Sequence, residues 1–251
     1  MSMDKSYLNI KCLKDEQIFV ENLFKKYNYK KFPKKESFSK DVLYFYTNDD
    51  INLYHLNYIN KKLNNNRYPF WECGLQKKIS LAQYENNLHW HKVYKKTFKK
   101  FYNILNKYDI KIIPVWGSLI FTIRNNSLFK IDEYDDVDIG IHIKDFEKFV
   151  KYAIPDLKKE FTILIRNYPN QAFAKVWDYN NQKYHIDIEI VSNNIFNELD
   201  IKYVNDFELF IPKKYDVLLK KIYGNYMTPY KVNKGIHGGS PIHRKLLKCY
   251  T

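Results

Sequence analysis

Two stretches of this chain alternate with a period that only a β-strand satisfies. In VDIGIHI (Val137–Ile143) the apolar residues Val137, Ile139, Ile141 and Ile143 take every second position, and Asp138, Gly140 and His142 take the others. In YHIDIEIV (Tyr184–Val191) Ile186 and Ile188 flank Asp187, and Glu189 shares the face of Asp187. Successive side chains of a strand point to opposite faces of the sheet, whereas a helix would scatter these residues around its axis. The chain therefore needs a sheet with one apolar face, and the other face of the same strands must accommodate carboxylates.

The surrounding pattern supplies partners for those strands. From about Leu81 a helix is expected, because Tyr94, Phe98, Phe101, Leu105 and Tyr108 form one apolar stripe that should pack on a sheet. KIIPVW (Lys111–Trp116) reads as a buried strand, Gly117-Ser118 as a tight turn, and LIFTIR (Leu119–Arg124) as the start of a helix. After a loop over Asn125–Asp135 and the first alternating strand, KDFEKFVKYA (Lys144–Ala153) is helical, with Asp145 as the expected N-cap. FTILIR (Phe161–Arg166) and AFAKVWD (Ala172–Asp178) are further strands, and the latter forms a hairpin with Tyr184–Val191 through a turn at Asn180-Asn181. Pro212 marks a last helix start, Leu218, Leu219 and Ile222 its buried side, and Gly224 its stop. The expected organisation is an accessory segment over residues 1–80, a catalytic domain over 81–230, and a C-terminal loop or tail over 231–251.

Composition narrows the function classes. At 251 residues with 45% hydrophobic and 18% aromatic content, the chain can bury a sizeable core. Its formal net charge of +14 attracts nucleotides, phosphorylated glycans, nucleic acid or anionic surfaces without choosing among them. Lysine pairs such as Lys25-Lys26 and Lys99-Lys100 read first as solvated faces, so nucleic acid is a possible but not favoured partner. Cys12, Cys73 and Cys249 are widely spaced and suggest neither a zinc cluster nor a disulfide framework. The amino terminus lacks the apolar core of a secretory signal, and no stretch approaches the roughly 18 apolar residues of a membrane span, so a soluble cytoplasmic protein is expected.

The chemistry concentrates in the carboxylates. Asp136 and Asp138 are separated by one residue and project from the same strand face, where they repel unless a cation sits between them or one is protonated. Asp187 is a third carboxylate able to meet them, as metal ligand, as base or as both, and Glu189 could substitute or assist. Mg²⁺ suits such oxygen donors together with nucleotide phosphates. The turn at Gly117-Ser118, about twenty residues upstream, offers backbone N–H groups at a helix start as an anion site.

The segment PVWGSLIFTIRNNSLFKIDEYDDVDIGI (Pro114–Ile141) resembles the signature of the LicD/fukutin branch of the nucleotidyltransferase superfamily, roughly GTLLGxxRHxxFIPWDDDxDIG. Gly117, Ser118, Leu119, Ile120, Arg124, Ile131, Asp135, Asp136, Asp138, Ile139 and Gly140 fit it directly or by close substitution. The hydrophobic-Asp-hydrophobic strand at Asp187 and the block IPKKYDVLLKKIYGNYMTP (Ile211–Pro229) continue the likeness, which covers about residues 85 to 230. Asn125, Lys130, Asp132-Glu133, Tyr134 and Phe121 depart from the pattern. The resemblance implies a nucleotidyltransferase-like α/β fold, a small mixed sheet flanked by helices with the N-terminal segment added. It also implies metal-dependent transfer of phosphocholine, a polyol phosphate or a sugar phosphate from a CDP-linked donor to a glycan or glycoconjugate. Asp136, Asp138 and Asp187 would hold Mg²⁺ or Mn²⁺, and Gly117-Ser118 would cradle donor phosphates.

Two other functions fit the same residues: nucleotide addition to RNA, protein or a small molecule, and a catalytically silent binding protein that keeps the fold. Among remaining candidates, Arg124 lies about two turns into its expected helix and would meet a phosphate or pair with the aspartates. His237 and Ser240, in GIHGGSP (Gly235–Pro241), would cap a donor phosphate or lie in a mobile loop. His89 and His91 are turned about 200° apart on a helix and do not share a ligand. Trp116 would stack on a base or a choline headgroup, or pack in the core.

Overall fold

The computed structural model describes residues 10–31, 43–46, 81–129, 136–167, 173–178 and 181–227. In chain order the elements are α1 (Ile10–Lys26), β1 (Lys30–Lys31), β2 (Leu43–Tyr46), α2 (Leu81–Lys107), β3 (Ile113–Pro114), α3 (Trp116–Arg124), β4 (Val137–His142) and α4 (Ile143–Lys148). A π turn at Phe149–Ala153 leads into α5 (Ile154–Leu157), β5 (Phe161–Asn167), β6 (Ala174–Asp178), β7 (Asn181–Val191), β8 (Leu199–Val204), β9 (Phe207–Pro212) and α6 (Tyr215–Tyr223). Seven of the described strands form one mixed sheet in the order β1-β2-β5-β6-β7-β4-β3, and β8 and β9 make a separate hairpin. The fold is therefore mixed α/β. The expected hairpin of β6 and β7 is present, with a bulge at Trp177/Asp178.

The β4–β7 pairing is parallel and the other pairings of the large sheet are antiparallel. Parallel neighbours need a long connection between them, and here α4, α5, β5 and β6 intervene. Val137, Ile139 and Ile141 on β4 and Ile186, Ile188 and Ile190 on β7 are all buried, as the alternation requires.

The α2 stripe docks as expected: Tyr94, Phe98, Phe101 and Leu105 are buried, and Phe98 packs edge-on against Phe207 at 5.0 Å and Phe129 at 5.6 Å. The Tyr94 hydroxyl accepts from the Val137 amide at 2.7 Å and donates to the His185 carbonyl at 2.5 Å, so one helix residue ties β4 to β7. The described part of the first 80 residues joins the same core, with Phe24 buried and stacked on Phe173 at 5.9 Å, and β2 pairs with β5.

Several boundaries differ from the expected ones. The third helix begins at Trp116, ahead of the turn expected at Gly117-Ser118, because Trp116 itself adopts a left-handed backbone (φ 50°) that reverses the chain after a strand of only two residues. The cap of α4 is His142, whose Nδ1 accepts from the Lys144 amide at 3.1 Å; β4 runs straight into the helix, which puts Asp145 inside the first turn, where it pairs with Lys148 at 3.1 Å. Pro212 ends β9, and the last helix starts at Tyr215, with Leu218, Leu219 and Ile222 buried and Gly224 (φ 66°) stopping it as expected.

The β8–β9 hairpin has no counterpart in the sequence expectations. Its signal is Asn205-Asp206, both at positive φ (52° and 70°), the pair that a two-residue hairpin turn of matching twist favours. His237, Ser240, Asp135, Lys130–Tyr134, Pro229, the turn residue Asn180 and the tail over 231–251 lie outside the described residues. Among the described residues no helix is long and apolar enough to cross a membrane.

Candidate metal centre

The site follows from register. Asp138 on β4 stands directly beside Asp187 on β7, and Asp187 stands directly across from Lys175 on β6, so one row over three strands reads Asp138, Asp187, Lys175. One step back along the strands, His185 is paired with Trp177, and Asp136 immediately precedes β4 on the His185 side. Side chains two apart on a strand share a face, so both rows project together.

Asp136, His185 and Asp187 bring one ligand atom each within 4.8 Å of one another, and among the described residues this is the group that could hold a metal ion. His185 Nε2 lies 3.1 Å from Asp136 Oδ2 and 3.6 Å from Asp187 Oδ1. Asp138, expected in the ligand set, is in register beside Asp187 but outside this cluster, and His185 takes the third place. Two carboxylates with one imidazole nitrogen suit Mn²⁺ better than Mg²⁺, which prefers an all-oxygen octahedron.

Lys175 completes the cluster with a positive charge. Its Nζ donates to Asp187 Oδ2 at 2.9 Å, lies 2.8 Å from Oδ1, and is 2.7 Å from His185 Nε2. The short approach to Oδ1 lacks hydrogen-bond geometry, so that buried oxygen accepts no hydrogen bond although it touches the ammonium. Lys175 and His185 were both within reach of sequence reasoning: His185 is two residues from Asp187 and must share its face, and Lys175 is the one cation inside the apolar run AKVWD.

The other expected residues take distinct places. Ser118 is fully buried and its Oγ accepts from the Asp138 amide at 2.9 Å, while the Asp138 carbonyl accepts from the Val115 amide at 3.1 Å. The start of α3 thus clamps the Asp138 backbone from two sides. Gly117 sits in the first turn of α3, half-buried. Trp116 is buried and its indole donates to Glu189 Oε1 at 3.2 Å, which ties both side chains into the interior. Arg124 closes α3, eight residues along from Trp116, and among the described residues it forms no ion pair with the aspartates. α2 runs unbroken through His89 and His91.

At Gly140, two residues along from Asp138, an added Cβ would come within 2.8 Å of Val191 Cγ1 and 3.0 Å of Val115 Cγ1. Glycine there lets the segment that leads into α3 lie against the β4–β7 seam. No protein-family model and no curated protein sequence matches this chain.

Proposed function

We propose that the protein is a metal-dependent phosphoryl-group transferase of the nucleotidyltransferase type, moving a phosphoryl-linked group such as phosphocholine, a polyol phosphate or a sugar phosphate from a CDP-linked donor to a glycan or glycoconjugate. The observation that carries this reading is the parallel β4–β7 register, which sets Asp138 beside Asp187 with Asp136 and His185 one step away on the same face. Such a face beside a strand-to-helix connection matches the resemblance found between Pro114 and Ile141.

Asp136, His185 and Asp187 would hold the ion, with Mn²⁺ the better fit of the two expected ions. The ion would supply charge neutralisation at the transferring phosphoryl group. The chain's own residues do the rest. The backbone N–H groups of the first turn of α3, at Gly117 and Ser118, would receive a donor phosphate, and the hydrogen bond from the Asp138 amide to Ser118 fixes that turn against the aspartates. Asp138, half-buried and outside the ligand cluster, would accept the proton of an acceptor hydroxyl. The net charge of +14 favours anionic donors and acceptors.

Calorimetric titration of CDP, CDP-choline, CDP-ribitol, ATP and GTP with Mn²⁺ or Mg²⁺ tests the proposal, alongside the double variant Asp136→Ala, Asp138→Ala. Metal-dependent cytidine-nucleotide binding that the double variant loses is the expected result. A preference for ATP or GTP, with the nucleotide appearing on the acceptor, would point to a nucleotidyltransferase of another branch. Absence of any metal-dependent nucleotide binding would leave a binding protein that retains the fold.

A further inference from the structure

We infer that the Lys175 ammonium is a resident cation at this centre and that a divalent ion loads only by displacing it, so that Lys175 sets the metal affinity; the inference rests on the metal-site reading above.

Three groups converge on a single nitrogen. His185 Nε2 has the Lys175 ammonium at 2.7 Å, Asp136 Oδ2 at 3.1 Å and Asp187 Oδ1 at 3.6 Å. A ring nitrogen carries either one proton or one lone pair. With a lone pair it accepts from Lys175 and meets the Asp136 oxygen as acceptor against acceptor. With a proton it donates to Asp136 and meets the ammonium as donor against donor. Either tautomer satisfies one neighbour and opposes another.

The second observation is the Asp187 side chain, only 6% exposed, whose Oδ1 points into the same cluster, touches the ammonium at 2.8 Å and accepts no hydrogen bond. The ammonium meets the charge of that oxygen but not its hydrogen-bond direction. A divalent cation removes both defects, because the His185 lone pair and one oxygen each from Asp136 and Asp187 then all face a positive centre and no proton is contested.

The ion and the ammonium compete for the same place. Both need Asp187, and Lys175 is held on it from the adjacent strand with a side chain only 14% exposed. A doubly charged ion beside an ammonium at ligand distance is strongly repelled in a partly buried site, so the lysine must swing off Asp187 as the ion enters. Without metal the lysine offsets one of the two carboxylates, and this is the resting state the arrangement builds in.

The test titrates Mn²⁺ into the full chain, reading free Mn²⁺ by electron paramagnetic resonance, for the wild type, Lys175→Met, Lys175→Gln, Lys175→Arg and Asp187→Asn. Displacement predicts that the Met and Gln variants bind Mn²⁺ at least about tenfold more tightly than the wild type, while the charge-retaining Arg variant stays within about twofold of it. Mn²⁺ should also raise the melting temperature of Lys175→Met and Lys175→Gln by more than it raises that of the wild type. If Lys175→Met fails to fold, the Gln variant carries the comparison. Equal or weaker binding in the neutral variants, with binding still lost in Asp187→Asn, would overturn displacement and leave the metal site standing. No Mn²⁺ binding by the wild type or any lysine variant would overturn the metal site itself, and displacement with it.

Discussion

The two faces of the β4–β7 pair are made by alternate residues of the same strands, yet they obey opposite rules. On one face Val137, Ile139, Ile141, Ile186, Ile188 and Ile190 are buried against apolar neighbours, and nothing there has a charge to satisfy. On the other, Asp138, Asp187 and Glu189 sit at comparable depth for the last two, each carboxylate held by a specific partner or set in register beside one. Burial of the first face is favourable in any arrangement that excludes water. Burial of the second is tolerable only with particular atoms at particular distances. Alternation lets one strand pair serve as both core and site, and it makes the site inherit the rigidity of the core.

That contrast is open to direct attack. The largest effect is expected from Asp187→Ala, which leaves the largely buried Lys175 ammonium without its counter-ion: a loss of about 3–4 kcal/mol in denaturant unfolding together with complete loss of Mn²⁺ binding. Ile188→Ala, on the opposite face and fully buried, should cost about 2–3 kcal/mol through its cavity while the folded protein binds Mn²⁺ as before. If a folded Ile188→Ala protein no longer binds the ion, the faces are not separable and the comparison fails. Tyr94→Phe sharpens it from the side, since the hydroxyl bridges Val137 on β4 to His185 on β7; about 1 kcal/mol of stability should go, with a modest weakening of Mn²⁺ binding, because the strands that carry Asp136 and His185 lose a tie.

The smallest effect concerns the far end of the polar face. Burial, and then the nearby Lys144 charge, hold the His142 imidazole below its ordinary value. The unfolded chain therefore binds this proton more readily than the folded one. The stability that His142 contributes is present above the ordinary histidine range and is lost as pH falls through the lowered folded value. Thermal melts from pH 8 down to 5 should show this loss. His142→Asn keeps a capping acceptor for the Lys144 amide and should flatten that part of the profile. An unchanged slope in His142→Asn would assign the acid sensitivity to other groups.

Much of this molecule was legible in the sequence where one physical rule acts alone. Period two found β4 and β7, the apolar stripe found α2, and Gly224 marked the end of α6. Legibility fails where two rules compete or where partners come from distant elements. Trp116 takes a left-handed backbone that its bulk disfavours, held in place by Glu189 from β7, and no local preference announces that. His142 caps a helix because a strand runs into it without a loop. The β8–β9 hairpin hides because its outer face carries Ile201 and Tyr203, exposed apolar residues that blur the alternation. At the site, the aspartates were visible as residues. The hairpin of β6 and β7 was visible too, but the pairing of Asp187 with Lys175 required its register, which a bulge at Trp177/Asp178 shifts.

Gly140 gives the site a fixed clearance. The gap between the β4–β7 seam and the segment leading into α3 is narrower than one methyl group, bounded by the branched, short side chains of Val191 and Val115. Neither valine has a flexible end that could swing aside. Gly140 therefore acts as a gauge block between the start of α3 and the aspartates, and a single alanine there would change the spacing of the two while leaving every side chain of the cluster in place.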